Sequence, residues 1–198
     1  QAQDLVKEQP LLAVQNYLRV GEVVPESSYR LNAEFDAGNI LLAQKKWQQG
    51  IEVLFRFKKR YPSHEYSRSI SAKLAKAYEN TEQWQLAATQ LLAMINGPES
   101  VGFSDELKRE AQYTAAEYYQ KAGNTDKALD TYRTYAHKYP RPFVVAQEVR
   151  LKLSEFYQQK KDTNKEYFWY RKIVKYHDIK LRNSASSITT RTEYLASY

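Results

Sequence analysis

Residues 116–140 read AEYYQKAGNTDKALDTYRTYAHKYP, and the spacing within this stretch points to a fold. Two small residues, Ala116 and Ala128, stand twelve positions apart, and Pro140 follows Ala128 by another twelve. Two turn-forming residues, Gly123 and Asn124, lie between the alanines. Small residues at this spacing on consecutive helices let antiparallel helices approach closely, because no bulky side chain separates them. The stretch therefore predicts a helical hairpin that ends at a proline.

The same spacing recurs along the chain and indicates internal repeats. The distance from Ala13 to Gly50 is 37 residues, from Gly50 to Ala87 it is 37, and from Ala87 to Ala128 it is 41. A fourth copy has Glu166 at the position of the second small residue. We assign close packing within the hairpins to six residues, which are Gly38, Gly50, Ala75, Ala87, Ala116 and Ala128.

The composition favours long helices. The chain has 198 residues, of which 42% are hydrophobic and 27% charged, with only six glycines and six prolines. Apolar residues recur at helical spacing within each repeat, whereas an all-β domain needs many more turn residues. The chain is too apolar for a disordered tail, and no apolar run approaches the roughly 20 residues of a membrane helix.

These residues give the chain a resemblance to the tetratricopeptide repeat (TPR) family, which is clearest over residues 116–140. The resemblance implies an all-α, right-handed superhelical solenoid of antiparallel helix hairpins. We expect a single array over residues 1–198 that is a fragment of a longer repeat protein. Its predicted parts are a half unit at 1–27, units at about 29–62, 67–98, 105–140 and 143–178, and a half unit at 183–198.

The period exceeds the 34 residues usual in the family. Long repeats that close on Tyr-Pro, as at 61–62 and 139–140, are similar to those of bacterial cell-envelope TPR proteins. This second resemblance implies a periplasmic or envelope-associated protein, with a larger envelope complex as one potential partner. A cytoplasmic location stays open as the alternative, because the chain has no cysteine and the absence of cysteine does not fix the compartment.

The sequence contains no pattern typical of catalysis. It has no cysteine, and its three histidines, His64, His137 and His177, are far apart. Neither HExxH, GxSxG nor a glycine-rich phosphate loop occurs. Because a catalytic site needs a nucleophile, a base and a stabilising group in mutual reach, we expect no enzyme activity, no metal site and no cofactor.

The family resemblance implies that first helices of the hairpins line a groove that binds a peptide or a partner helix. Phe35 and Tyr113 are predicted to be anchors, because large aromatic residues at solvent-facing positions suggest binding. The alternative, that the groove positions are merely exposed polar residues, stays open. The predicted partner-binding residues are Asn32, Phe35, Asn39, Lys73, Lys76, Tyr113, Glu117 and Lys152. Further positions assigned to the same groove are Asp36, Ser69, Ala72, Glu110, Thr114, Glu148, Leu151 and Glu155.

A second function class follows from the charge distribution. The net charge is +7, and residues 150–182 hold ten Lys or Arg against four Asp or Glu, which is +6. Aromatic residues at 167–170 interleave with these cations, so the segment could bind a polyanion such as nucleic acid or an anionic envelope polymer or lipid. Helical spacing favours the other interpretation, in which Tyr157, Trp169, Tyr170 and Ile173 form an apolar packing stripe. We therefore expect a protein partner and regard nucleic acid as the less favoured one.

Overall fold

The computed structural model describes residues 9–23, 29–97 and 100–187, with side chains through residue 178. These residues form nine α-helices and no strand, which confirms the predicted all-α class. The helices are α1 Pro10–Val23, α2 Tyr29–Ala43, α3 Trp47–Arg60, α4 Ser67–Asn80, α5 Trp84–Asn96, α6 Asp105–Lys121, α7 Thr125–Lys138, α8 Phe143–Gln159 and α9 Thr163–Ser187.

The chain consists of two compact units, residues 1–128 and 129–198. In the first unit, α1 to α6 pack in sequence order, with the last of these contacts between α5 and α6. In the second unit, α8 packs against α9. Three of these contacts, α2 with α3, α4 with α5 and α8 with α9, join the two helices of a predicted hairpin.

The fourth hairpin is longer than predicted. The repeat spacing placed its end at residue 178 and the next half unit at 183–198, yet α9 continues to Ser187. Residues 163–187 include neither glycine nor proline, so no residue of these types ends the helix where the period would. Residues 188–198 lie outside the described residues, as do residues 1–8 and 24–28.

One turn conformation joins the two helices of every hairpin. Lys45, Glu82, Gly123 and Lys161 all have a left-handed backbone, with φ values of 56°, 55°, 70° and 57°. In each turn the next residue donates its N–H to the carbonyl five residues earlier, at 2.8 to 2.9 Å. The left-handed residue itself donates to the carbonyl three residues earlier, at 2.9 to 3.0 Å. These two bonds form the Schellman motif, which satisfies carbonyls left over at a helix end.

The turn fixes where the small residues fall. The second helix of each hairpin begins two residues after the left-handed position, and its fourth residue is Gly50, Ala87, Ala128 or Glu166. Gly50, Ala87 and Ala128 are buried, whereas Glu166 is half-buried. Because Glu166 occupies the same position after the same turn, the fourth hairpin keeps the register of the others despite its larger side chain.

Two of the small residues are required by the closeness of α2 and α3. A Cβ atom on Gly38 would overlap the side chain of Leu54, and one on Gly50 would overlap the side chain of Leu42. Ala75, Ala87 and Ala116 are 0–4% exposed on α4, α5 and α6. Gly38 and Gly50 therefore leave no room for a Cβ atom unless the facing leucine side chain shifts.

A buried arginine joins α8 to α9. Arg150 is 1% exposed, its Nη1 donates to Gln147 Oε1 at 2.9 Å, and its guanidinium lies 4.0 Å from the ring centre of Tyr176. Burial lowers the pKa of Arg150, although the charge and hydrogen bonding of Tyr176 act in the opposite direction. Within the described residues, an aromatic face and an amide, not a carboxylate, therefore hold this cation.

The left-handed turn position gives a stability prediction. We expect Glu82→Gly to stabilise the fold by about 0.5–1 kcal/mol. A left-handed backbone costs a non-glycine residue roughly 1–2 kcal/mol, and the larger entropy loss of glycine offsets part of that gain. Urea unfolding followed by circular dichroism measures the difference in the free energy of unfolding.

The matched control is Glu52→Gly, at an exposed position inside α3. There the same change should destabilise the fold by about 0.5–1 kcal/mol, because glycine is unfavourable in a helix interior. Equal destabilisation by both variants would show that the turn at Glu82 carries no relievable strain.

Candidate functional site

A cavity of about 680 Å³ lies in the first unit, between α4 and α6 and above α5. The lining residues of α4 repeat at intervals of three to four from residue 68 to residue 79, and those of α6 do the same from 107 to 118. This spacing places each set on one face of its helix. The cavity is thus formed by the facing sides of two first helices, with a second helix as its floor.

The floor is apolar. Met94 is buried, Leu91 and Phe103 are partly buried, and all three pack with the buried Ala111. Ala72 and Ala75 of α4 have short side chains that do not fill the space above them. A volume of this size with an apolar lining falls within the roughly 300–1,000 Å³ typical of binding pockets.

The α4 side of the cavity carries cations. Lys76 Nζ lies 2.7 Å from Glu79 Oε2, one turn further along the same helix. Lys73 Nζ lies 5.8 Å from the ring centre of Phe35, a cation–π contact. Arg68 is exposed at the beginning of α4, and Glu110 is exposed on the α6 side.

A hydrogen-bonded pair lies at one end of the cavity. The Tyr118 hydroxyl donates to Glu79, which also accepts from Lys76. Burial raises the pKa of Tyr118 to about 12, and the bond to Glu79 and the charges of Glu79 and Glu117 add to the shift. The bond to Lys76 lowers the pKa of Glu79, and the bond to Tyr118 contributes in the same direction. Lys121 Nζ lies 4.7 Å from the Trp84 ring and 5.6 Å from the Tyr118 ring.

Several predicted groove residues meet in this cavity. Lys73 and Lys76 line it, together with four further positions that the family resemblance assigned to the groove, Ser69, Ala72, Glu110 and Thr114. Tyr113 and Glu117 lie half-buried on α6 and do not line it. The partner-binding role of each residue stays a prediction.

The remaining predicted residues lie elsewhere. Asn32 is exposed on α2, and Asn39 on the same helix has a buried Oδ1 to which no donor of the described residues is bonded. Lys152 is in the second unit, where its Nζ lies 3.6 Å from Glu148 and 5.8 Å from the Tyr132 ring.

Phe35 has a packing role that the sequence did not indicate. Its ring stacks on Tyr66 with a centroid distance of 4.4 Å and lies 5.7 Å from Phe57. His64 contacts the Tyr66 ring at 4.7 Å. Because Phe35 is half-buried in this aromatic cluster, it contributes to the packing of the first unit, and its role as an anchor stays a prediction.

The apolar floor was not predicted from the sequence. Leu91 and Met94 belong to a second helix, whereas the family resemblance assigned the groove to first helices only. Phe103 precedes α6, and Tyr118 was not assigned to the groove. The partly apolar face of α5, on which Leu91 and Ile95 stand one turn apart, was the available signal.

The basic segment forms much of α9 in the second unit. Trp169 is buried, as the packing-stripe interpretation expects, whereas Tyr170 is 36% exposed. Tyr167 and Phe168 are 58% and 43% exposed, and Lys172 Nζ lies 5.3 Å from the Phe168 ring. Aromatic rings and cations therefore share an exposed surface on α9.

The structure describes no helix with both the length and the apolar content needed to cross a membrane.

The Tyr118 pair makes a pH prediction. We expect Glu79→Gln to lower the pKa of Tyr118 from about 12 toward its ordinary value, because the carboxylate no longer accepts its proton or repels the phenolate. Burial should keep it above the ordinary value. The difference in tyrosinate absorbance between each protein and its Tyr118→Phe variant isolates this one tyrosine.

Glu117→Gln is the control, because the charge of Glu117 is the smallest cause of the shift in the pKa of Tyr118.

The raised pKa of Tyr118 also makes the free energy of unfolding depend on pH. The unfolded phenol loses its proton first as pH rises above about 10, so the contribution of Tyr118 to stability is full below that pH and is lost toward 12. Equal shifts in both Gln variants would contradict the bond to Glu79.

Comparison with known proteins agrees with this architecture. Residues 110–141 match the family model described as tetratricopeptide repeat. The structure of MamA (AMB-1) is similar with a TM-score of 0.51 and 13% identity, over 98% of this chain and 92% of that one. A MamA mutant has a TM-score of 0.51 and 13% identity, over 89% and 88% of the two chains.

A structure of nearly identical TPR-like repeats, related to kinesin light chain and from Podospora anserina, has a TM-score of 0.49 and 16% identity, over 96% and 94% of the chains. A search of curated protein sequences found no match. The chain therefore contains a tetratricopeptide repeat and has the fold of tetratricopeptide repeat proteins.

Proposed function

We propose that the chain is a protein–protein interaction scaffold that binds a peptide or partner helix of another protein in the cavity between α4 and α6. The observation that carries the proposal is an open cavity of about 680 Å³ with an apolar floor, built from facing first helices. Exposed apolar surface of this kind marks binding sites, because water contact with it is unfavourable.

The dimensions suit a polypeptide segment. Glu79 and Tyr118 meet at one end of the cavity, and Arg68 and Leu107 each stand eleven residues earlier on their helices. Eleven residues of helix rise about 16 Å. An extended segment of about five residues, or about three turns of helix, spans that length. The apolar floor would receive its side chains, as in helix-in-groove recognition.

The proposal includes no catalysis. The groups around the cavity are an ion pair, a tyrosine that stays protonated at neutral pH and exposed cations, which together orient a ligand rather than transform it. A periplasmic or envelope location is proposed on the resemblance of the Tyr-Pro repeat ends alone.

Occupation of the cavity can be tested with one substitution. Ala72 is exposed on α4 and lines the cavity, so Ala72→Trp should fill the space without disturbing the core. We expect the variant to bind peptides selected on the wild-type chain from a displayed library of linear peptides at least about tenfold more weakly. Fluorescence anisotropy measures the affinities.

Two controls make the result specific. Ala93→Trp places the same ring at an exposed position of α5 that does not line the cavity, and it should bind like wild type. Met94 is the only methionine, so a ¹³C-methyl label gives a single NMR signal from the cavity floor. Selected peptides that leave this signal unmoved and bind Ala72→Trp normally would refute binding in the cavity.

The exposed surface of α9 favours a second candidate, the binding of a polyanion. Exposed Tyr167 and Phe168 could stack on bases while Lys172 and Lys175 contact phosphates. For single strands, the logarithm of the binding constant falls with the logarithm of the salt concentration, and each phosphate contact contributes about 0.7 to the steepness of that slope. Changing both lysines to glutamine should therefore make the slope shallower by about 1.4.

A labelled thymidine oligonucleotide titrated at several salt concentrations measures this slope. The control changes Lys46 and Lys59, two exposed lysines of the first unit, to glutamine. Absence of binding at low salt, or an equal loss in the control, would exclude this candidate.

A further inference from the structure

The charges around the cavity divide into those already paired and those available to a ligand. Lys76 is bound by Glu79, and Glu79 also accepts from Tyr118, so these groups satisfy one another. A ligand would have to break existing bonds to use them. The partner's polar contacts must therefore come mainly from the other charged residues of the lining.

The available cations lie on the α4 side. Among the described residues, Arg68 and Lys73 have no carboxylate partner, and the contact of Lys73 is the Phe35 ring at 5.8 Å. A cation–π contact at that distance leaves the ammonium hydrogens free to donate. Both residues line the same cavity as the apolar floor.

The α6 side carries the opposite sign. Glu110 lines the cavity, is exposed and has no cationic partner among the described residues. A carboxylate of the ligand placed against α6 would meet this like charge, whereas one placed against α4 would meet two cations. The two walls are thus electrically distinct, which gives a bound segment a preferred orientation.

We infer that the partner is a protein segment with apolar side chains directed to the floor at Leu91 and Met94 and an acidic residue on the edge that faces Arg68 and Lys73. Its other edge, toward Glu110, is uncharged or basic. This inference rests on the proposed function, since it names the chemistry of the segment that occupies the same cavity. Arg68 is suited to bind the acidic residue, because a planar guanidinium binds a carboxylate through two parallel hydrogen bonds.

The test is a selection from the displayed library of linear peptides on two proteins in parallel. One is the wild-type chain, and the other carries Arg68→Glu and Lys73→Glu together. We expect apolar peptides with Asp or Glu from the wild-type chain and peptides with Lys or Arg from the double variant. Each acidic peptide should lose about tenfold in affinity per reversed charge, since charge-assisted hydrogen bonds have that strength.

The matched control reverses two exposed lysines away from the cavity, Lys46→Glu and Lys59→Glu, with the same change in net charge. It should retain the acidic peptides, which separates a local contact from attraction by the whole protein. A neutral pair, Arg68→Gln with Lys73→Gln, replaces the double reversal if circular dichroism shows that the reversal unfolds the chain. It should lose the acidic preference without gaining a basic one.

The outcomes distinguish this inference from the proposed function. Peptides that shift the Met94 methyl signal but lack acidic residues, or that bind the double reversal equally well, overturn the acidic edge and leave cavity binding intact. Failure of every selected peptide to shift that signal overturns both. A basic preference in the wild-type selection would place Glu110, and not Arg68 and Lys73, as the recognising charge, and would also overturn the inference.

Discussion

The left-handed turn within each hairpin is the constraint on which the other features of the fold depend. Its two hydrogen bonds end the first helix and start the second at a fixed offset, so the fourth residue of the second helix always occupies the same place. A small residue there lets the helices approach. The variable periods of 37 and 41 residues do not disturb this relation, because the extra residues lie outside the turn.

The cavity follows from the same arrangement. The first helices α4 and α6 lie side by side, and the bond from Tyr118 to Glu79 joins them near their carboxyl ends. Where their facing sides carry Ala72, Ala75 and Ala111, the space between them stays open. A site for a ligand therefore arises from residues that are too small to fill the gap, and its polar character comes from the few long side chains at its edges.

The sequence predicted the repeats and the helices because small residues and prolines recur at regular intervals. It did not reveal the left-handed positions, since lysine or glutamate stands at three of the four and glycine only at Gly123. The family resemblance assigned Lys73 and Lys76 to the groove, and both line the cavity, but their role in partner binding stays a prediction. The floor at Leu91 and Met94 was not predicted. Packing between hairpins decides which face of α5 stays partly uncovered, and the sequence pattern does not show that packing. The length of α9 was not predicted. The repeat period indicates where a helix should end, but residues 163–187 contain no glycine or proline that would end it there.

The register also bears on the basic segment. Tyr170 stands four residues after Glu166, as Leu54 stands four after Gly50 and Leu91 four after Ala87. Leu54 is fully buried and Leu91 is packed against the Met94 cluster, whereas Tyr170 is 36% exposed. An apolar residue at this position is thus a property of the repeat and does not require a stacking function. The exposure of Phe168 beside Lys172 therefore supports polyanion binding more strongly than the aromatic content of α9 as a whole.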